Sequence, residues 1–231
     1  MEVFDIMKTE ELKLVTVWDK TFPKSEMVDH KKITFRNRYG ITLAADMYIP
    51  KNAEGKLPAL AVSGPFGAVK EQCSGLYAQT MAERGFLTIA FDPSYTGESG
   101  GFPRYMASPD INTEDFMAAV DFLSVQDNVD ADKIGIIGIC GWGGMAINAA
   151  ALDTRIKATV ASTMYDMTRV NANGYFDSED SEEARFVKKK AMNALRTEEY
   201  RKGEYSRAGG CVSLPVPDDA PFFVKDYSEY Y

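Results

Sequence analysis

Cys140 is the residue of this chain best placed to do covalent chemistry. It stands in Ile134-Gly-Ile-Ile-Gly-Ile-Cys140-Gly-Trp-Gly-Gly-Met-Ala, an apolar run that breaks into glycines and then resumes with helix formers. The pattern reads as a buried strand, a sharp turn at the thiol and a helix, which would display a nucleophile at the strand tip. A strained turn with a helix packed closely behind it needs small neighbours, and Gly138, Gly141, Gly143 and Gly144 supply them. Unpaired N–H groups at a helix N-terminus also favour a thiolate. A plainer reading stays open, because cysteine is among the most commonly buried residue types.

Acyl transfer to such a thiol needs two preorganised donors for the developing oxyanion. The N–H of Gly141 is the first candidate. The second comes from Gly64-Pro65-Phe66-Gly67, which closes an apolar strand; Pro65 has no N–H, which leaves Phe66. The same four residues also fit an ordinary strand-to-helix turn. Trp142 either crowds the turn or lines an acyl pocket. Asp166, after the sixth strand, reads as a capping or loop aspartate. Lys70, Glu71 and Glu98 fall on loops at the same end of the sheet and read as structural ion pairs.

Positioning these groups requires a sheet. Lys32-Ile-Thr-Phe35 and Ile41 to Ile49 read as a hairpin through Asn37-Arg-Tyr-Gly40. Leu60 to Ser63, Phe86 to Phe91, Ile134 to Ile139 and Ala158 to Ser162 read as further strands. Helices are expected around Leu76 to Glu83, from Thr113 with Phe116, Val120 and Leu123 on one face, and from the elbow to Leu152. Continuously apolar strands alternating with helices mean an α/β fold, a mostly parallel sheet covered on both faces, with the hairpin at one edge. Residues 1–30 read as a helical or irregular lead-in, residues 31–170 as the core, and residues 171–231 as a lid-like segment. In that last segment one helix is expected from about Glu182 to Leu195.

The order of elements resembles the α/β-hydrolase superfamily, and most of all its dienelactone-hydrolase-like branch. Three motifs carry the resemblance, over about residues 30–170: Ser63 to Gln72, Phe91 to Gly101, and Gly138-Ile-Cys-Gly-Trp-Gly-Gly144. It implies that Cys140 is the nucleophile, Gly141 and Phe66 the oxyanion donors, and the residues after Val170 the start of a cap. Some members draw their acid from the position after the sixth strand, which makes Asp166 a candidate acid beside its capping reading. The implied substrate is a small ester, thioester or lactone, with no cofactor. The elbow departs from the family at Trp142, where a small residue is usual. The family carries its acid and its histidine on loops after the last two strands, and no such strands are legible here. The chain is therefore read as a truncated form, weakly active or inactive alone. His30, at the entry to the first edge strand, is placed by this fold away from the nucleophile.

Bulk composition narrows the partners. The 231 residues carry a net charge of −8, which argues against nucleic acid and anionic membranes. No window is apolar enough to span a bilayer. The first residues carry early acids and no apolar core of a signal peptide. Cys73, Cys140 and Cys211 lack CxxC spacing, so free thiols in a reducing cytoplasm are expected and a metal site is not.

Two other readings compete. Gly141-x-Gly143-x-x-Ala146 with Asp166 fits a dinucleotide-binding fingerprint, although four strands precede it where the fingerprint normally opens a domain. The absent second histidine equally fits a non-catalytic scaffold. Its aromatic end (Phe222, Phe223, Tyr227, Tyr230, Tyr231) and open sheet edge would then serve interaction, including a homo-oligomer.

Overall fold

Alternation along each strand sends side chains to opposite faces of the sheet, and here both faces are apolar. The computed structural model describes residues 11–207, 215–220 and 225. Cys211 and the five aromatics near the C-terminus lie outside these residues. Six strands, β1 (Val28–Arg36), β2 (Thr42–Pro50), β3 (Leu57–Ser63), β4 (Leu87–Phe91), β5 (Val129–Ile139) and β6 (Ile156–Ser162), form one sheet in the order β1-β2-β4-β3-β5-β6. β1 pairs with β2, and β2 with β4, antiparallel; the pairs from β4 through β3 and β5 to β6 are parallel. The expected hairpin is thus the antiparallel edge of an otherwise parallel sheet.

Helices α1 (Cys73–Ala82), α2 (Pro109–Ser124) and α3 (Gly141–Leu152) divide between the faces. Ala78 and Ala82 of α1 pack with Leu60, Val62, Ile137 and Ile139 on one side. Phe116, Val120 and Leu123 of α2, with Met145, Ala146 and Ala149 of α3, pack with Ala59, Ala61, Ile89, Phe91 and Ile136 on the other. Two helices begin earlier than their periodicity predicts. Ser108 is an extended N-cap followed by Pro109, a residue suited to a first turn, so α2 starts four residues before Thr113. α1 likewise starts at Cys73, directly after the loop that precedes it. Residues 11–27 form neither helix nor strand.

The chain divides into two compact units, the first ending at Met164 and the second beginning at Tyr165. The second contains α4 (Met167–Asn173), a short 3-10 turn (Tyr175–Asp177) and α5 (Glu182–Lys202). Ser181 caps α5 by accepting from the Ala184 N–H, and left-handed Gly203 follows its last residue, Lys202, seven residues beyond the expected Leu195.

Candidate active site

Strand β5 and helix α3 are joined by one residue, Cys140, at φ 57° and ψ −126°. A side chain with a Cβ rarely adopts this conformation, which costs on the order of 1–3 kcal/mol and persists only where surroundings impose it. The surroundings are backbone. The Cys140 N–H donates to Ser162 O at 2.9 Å, holding the turn to the end of β6, and Gly143 N–H donates back to Cys140 O at 2.9 Å. A Cβ on Gly138 would lie 2.2 Å from Trp142 O, so the first turn of α3 folds directly onto the strand and admits only glycine there. The thiol is half-buried and faces the α1 side of the sheet, among Ile137, Ile139 and Cys73.

The next strand, β3, ends one register step away, with Ser63 opposite Gly138. β3 feeds α1 on one face and β5 feeds α3 on the other, so their carboxyl ends bound the crevice that adjacent strands leave when their connections diverge. Gly64 closes β3 at φ +98°, and a Cβ on it would lie 2.3 Å from Ile139 O and 2.8 Å from Trp142 Cβ. The loop bearing Phe66 is therefore pressed against the elbow itself. The Phe66 ring lies 5.6 Å from the Trp142 ring at 52°. Trp142 is buried in the core, and its indole N–H has no hydrogen-bond partner among the described residues. The structure thus brings Cys140, Gly141, Trp142 and Phe66 together. Cys73, which the sequence did not single out, joins them: its thiol donates to Gly64 O at 3.7 Å, and burial pushes it up to about 11.

Behind the loop lies a buried charge cluster. The fully buried Lys70 ammonium contacts Glu71 at 2.6 Å, Glu98 at 2.7 Å and Asp92 at 2.8 Å. Lys32 bridges Glu98 at 2.6 Å and Glu71 at 3.3 Å. The ion pairs expected of Lys70, Glu71 and Glu98 are present, with Lys70 at their centre. A further carboxylate joins them, Asp92, which lies in the Phe91 to Gly101 motif but was given no role from sequence. Asp92 accepts from Lys70 N–H, Lys70 Nζ and Glu98 N–H at 2.8, 2.8 and 2.9 Å. Burial alone would lower the Lys70 pKa; the surrounding carboxylates outweigh it and raise it.

His30 is excluded as the partner of Cys140 by register. It pairs with Tyr48, which is level with Thr88, then Leu60, then Gly135. Four strand spacings of ~4.8 Å separate it from β5, before the five residues up to Cys140 are counted. Its Nε2 instead meets Asp46 at 2.7 Å, and Lys20 meets the same carboxylate at 3.0 Å. Asp166 opens the second unit as the N-cap of α4. Its exposed carboxylate accepts from the Arg169 N–H at 2.9 Å and the Thr168 hydroxyl at 2.7 Å, which lowers its pKa.

Known proteins share this architecture. An uncharacterized protein of Pseudomonas aeruginosa is 58% identical over 228 residues, covering 96% of this chain and 59% of the relative. A crystal structure of a hypothetical protein from Pseudomonas aeruginosa superposes with a TM-score of 0.87 at 57% identity, over 96% of this chain and 69% of that one. A thiohydrolase of Aspergillus aculeatus is 32% identical over 59% of this chain and 42% of its own length. An α/β hydrolase of Penicillium shares the fold, with a TM-score of 0.61 at 21% identity over 87% of this chain and 65% of that one. The chain thus spans about 59% of the length of the Pseudomonas relative. The model of the X-Pro dipeptidyl-peptidase (S15) family matches residues 39–213. With an α/β-hydrolase sheet, and with this match over most of its length, the chain belongs to the S15 family.

Proposed function

We propose that the protein acts on small esters, thioesters or lactones by acyl transfer to Cys140. The observation that carries this reading is the strained backbone of Cys140, at φ 57° and ψ −126° between β5 and α3. Strain of this kind clusters at catalytic positions, where it displays the reacting atom. The Cys140 sulfur attacks the acyl carbon, and the carbonyl oxygen takes up the electron pair. The N–H groups of Gly141 and Phe66 then stabilise that oxygen. Collapse breaks the bond from the acyl carbon to the alcohol oxygen or thiol sulfur, which takes the proton released from Cys140. An ester or thioester loses that group, a lactone keeps it as a hydroxyl on the opened chain, and an acyl thioester remains on the protein. The relative named as a thiohydrolase supports thioesters within the substrate class.

Water must then cleave the acyl-Cys140 bond, and a histidine base is the common means. The chain has one histidine, held by Asp46 four strands away. The first step is therefore expected to outrun the second. p-Nitrophenyl acetate should release about one equivalent of p-nitrophenol in a burst, with slow turnover afterwards and an acetyl adduct on the Cys140 peptide by mass spectrometry. Fast steady turnover that survives Cys140→Ala would sink the assignment.

The dinucleotide reading has less support. Its fingerprint needs a glycine loop between strand and helix, and here one residue joins the two. Binding of NAD at micromolar concentration, followed by Trp fluorescence, would reverse that ranking.

A further inference from the structure

Phe66 lies on a nine-residue loop, 64–72, that can serve as an oxyanion donor only if it is stationary. Its first residue is fixed, because Gly64 lies flush against Ile139 O. Within the loop, Ala68 N–H donates to Pro65 O at 3.1 Å and Gln72 N–H to Val69 O at 3.0 Å. These bonds give it shape but do not attach it to anything. Attachment comes at Glu71, whose carbonyl accepts from the Thr21 N–H at 3.0 Å, and closer to Phe66 at Lys70, by two bonds of different kinds: the backbone N–H and the ammonium each take one oxygen of the Asp92 carboxylate. The Phe66 backbone thus lies between two fixed points, Gly64 and Lys70, with its ring against Trp142.

Asp92 is itself immobilised. The loop after β4 turns back on it, and a Cβ on Gly97 (φ +53°) would lie 2.3 Å from Asp92 Oδ2. Glu98 follows: its N–H donates to Asp92, and its carboxylate accepts from the Lys70 ammonium. Stability alone is a poor reason for this arrangement. Buried ion pairs of this kind are often matched or exceeded by apolar residues of the same volume, and in some proteins they instead specify one geometry. We propose that Lys70 is a positioning residue: its ammonium and its amide lock the loop onto Asp92 and so hold the Phe66 N–H where the oxyanion develops. The inference rests on the acyl-transfer reading of Cys140.

The test compares two reactions of the same thiol. Acetylation by p-nitrophenyl acetate passes through an oxyanion; alkylation by iodoacetamide does not. Both rates are followed at the Cys140 peptide by mass spectrometry, with near-UV circular dichroism to report folding. Lys70→Met is expected to slow acetylation about 100-fold, the usual scale for a lost oxyanion donor, while alkylation and the half-saturating ester concentration stay within a few-fold. If Lys70→Met does not fold, Lys70→Met/Asp92→Asn removes both charges together, and Lys32 still pairs Glu71 and Glu98. A folded variant whose two rates are unchanged, or fall by the same factor, overturns the role of Lys70 and leaves the role of Cys140 standing. Wild-type protein that is alkylated but never acetylated at Cys140 overturns both.

Discussion

At the scale of single residues, the elbow was legible because its physics is local. Gly138 is required by Trp142 O four residues on, and a strand–turn–helix built within seven residues leaves its mark in the spacing of small residues. Asp92 and Cys73 were not legible, because their partners come from other loops. The strain at Cys140 carries a prediction of its own. Alanine there keeps the Cβ and therefore the strain; glycine removes it, at some cost in unfolded-chain entropy. Cys140→Gly is expected to be more stable than Cys140→Ala by about 1 kcal/mol, measured by urea unfolding. Equal midpoints would mean that the turn stores no strain.

At the scale of elements, strands and helices followed their periodicity, and loops did not. Asn37 and Asn112, together with both the backbone N–H and the hydroxyl of Ser94, donate to the buried Asp115. One carboxylate thereby joins the β1–β2 turn, the loop after β4 and helix α2. Such a junction spans 78 residues of sequence and has no period to betray it. The loop after β4 is also where a pH effect belongs. Burial pushes the Glu98 pKa up, but hydrogen bonds from Lys32 and Lys70 outweigh it, and the net shift is downward. A carboxyl lowered in the folded state stabilises above its unfolded pKa of about 4.3, and the benefit fades as pH falls through the folded value. Wild type should therefore exceed Glu98→Gln by about 1–2 kcal/mol at pH 7, with the gap closing below about pH 4. A gap constant from pH 7 to pH 3 in thermal unfolding would show that Glu98 contributes no such charge.

At the scale of the whole molecule, the alternation of strands and helices announced a mostly parallel sheet. The pairing of β3 with both β4 and β5, which makes the crevice, had no signature in the sequence. β6 is the last strand of that sheet among the described residues. Its side chains are half-buried or exposed, and Val160 is 51% exposed. A strand at the end of a sheet presents N–H and C=O groups that can pair with another chain, and added charge on it opposes such pairing. Concentration-dependent association is expected in sedimentation, and Val160→Lys should suppress it; a wild-type monomer at every concentration would contradict this. The turn at Cys140 is a feature of the backbone. Gly64, Gly138, Ile139 O and Ser162 O shape it through backbone hydrogen bonds and close backbone approach. The mount is blind to the reagent it carries. Sulfur and oxygen nucleophiles could therefore replace one another at this position during descent without the fold passing through a broken intermediate.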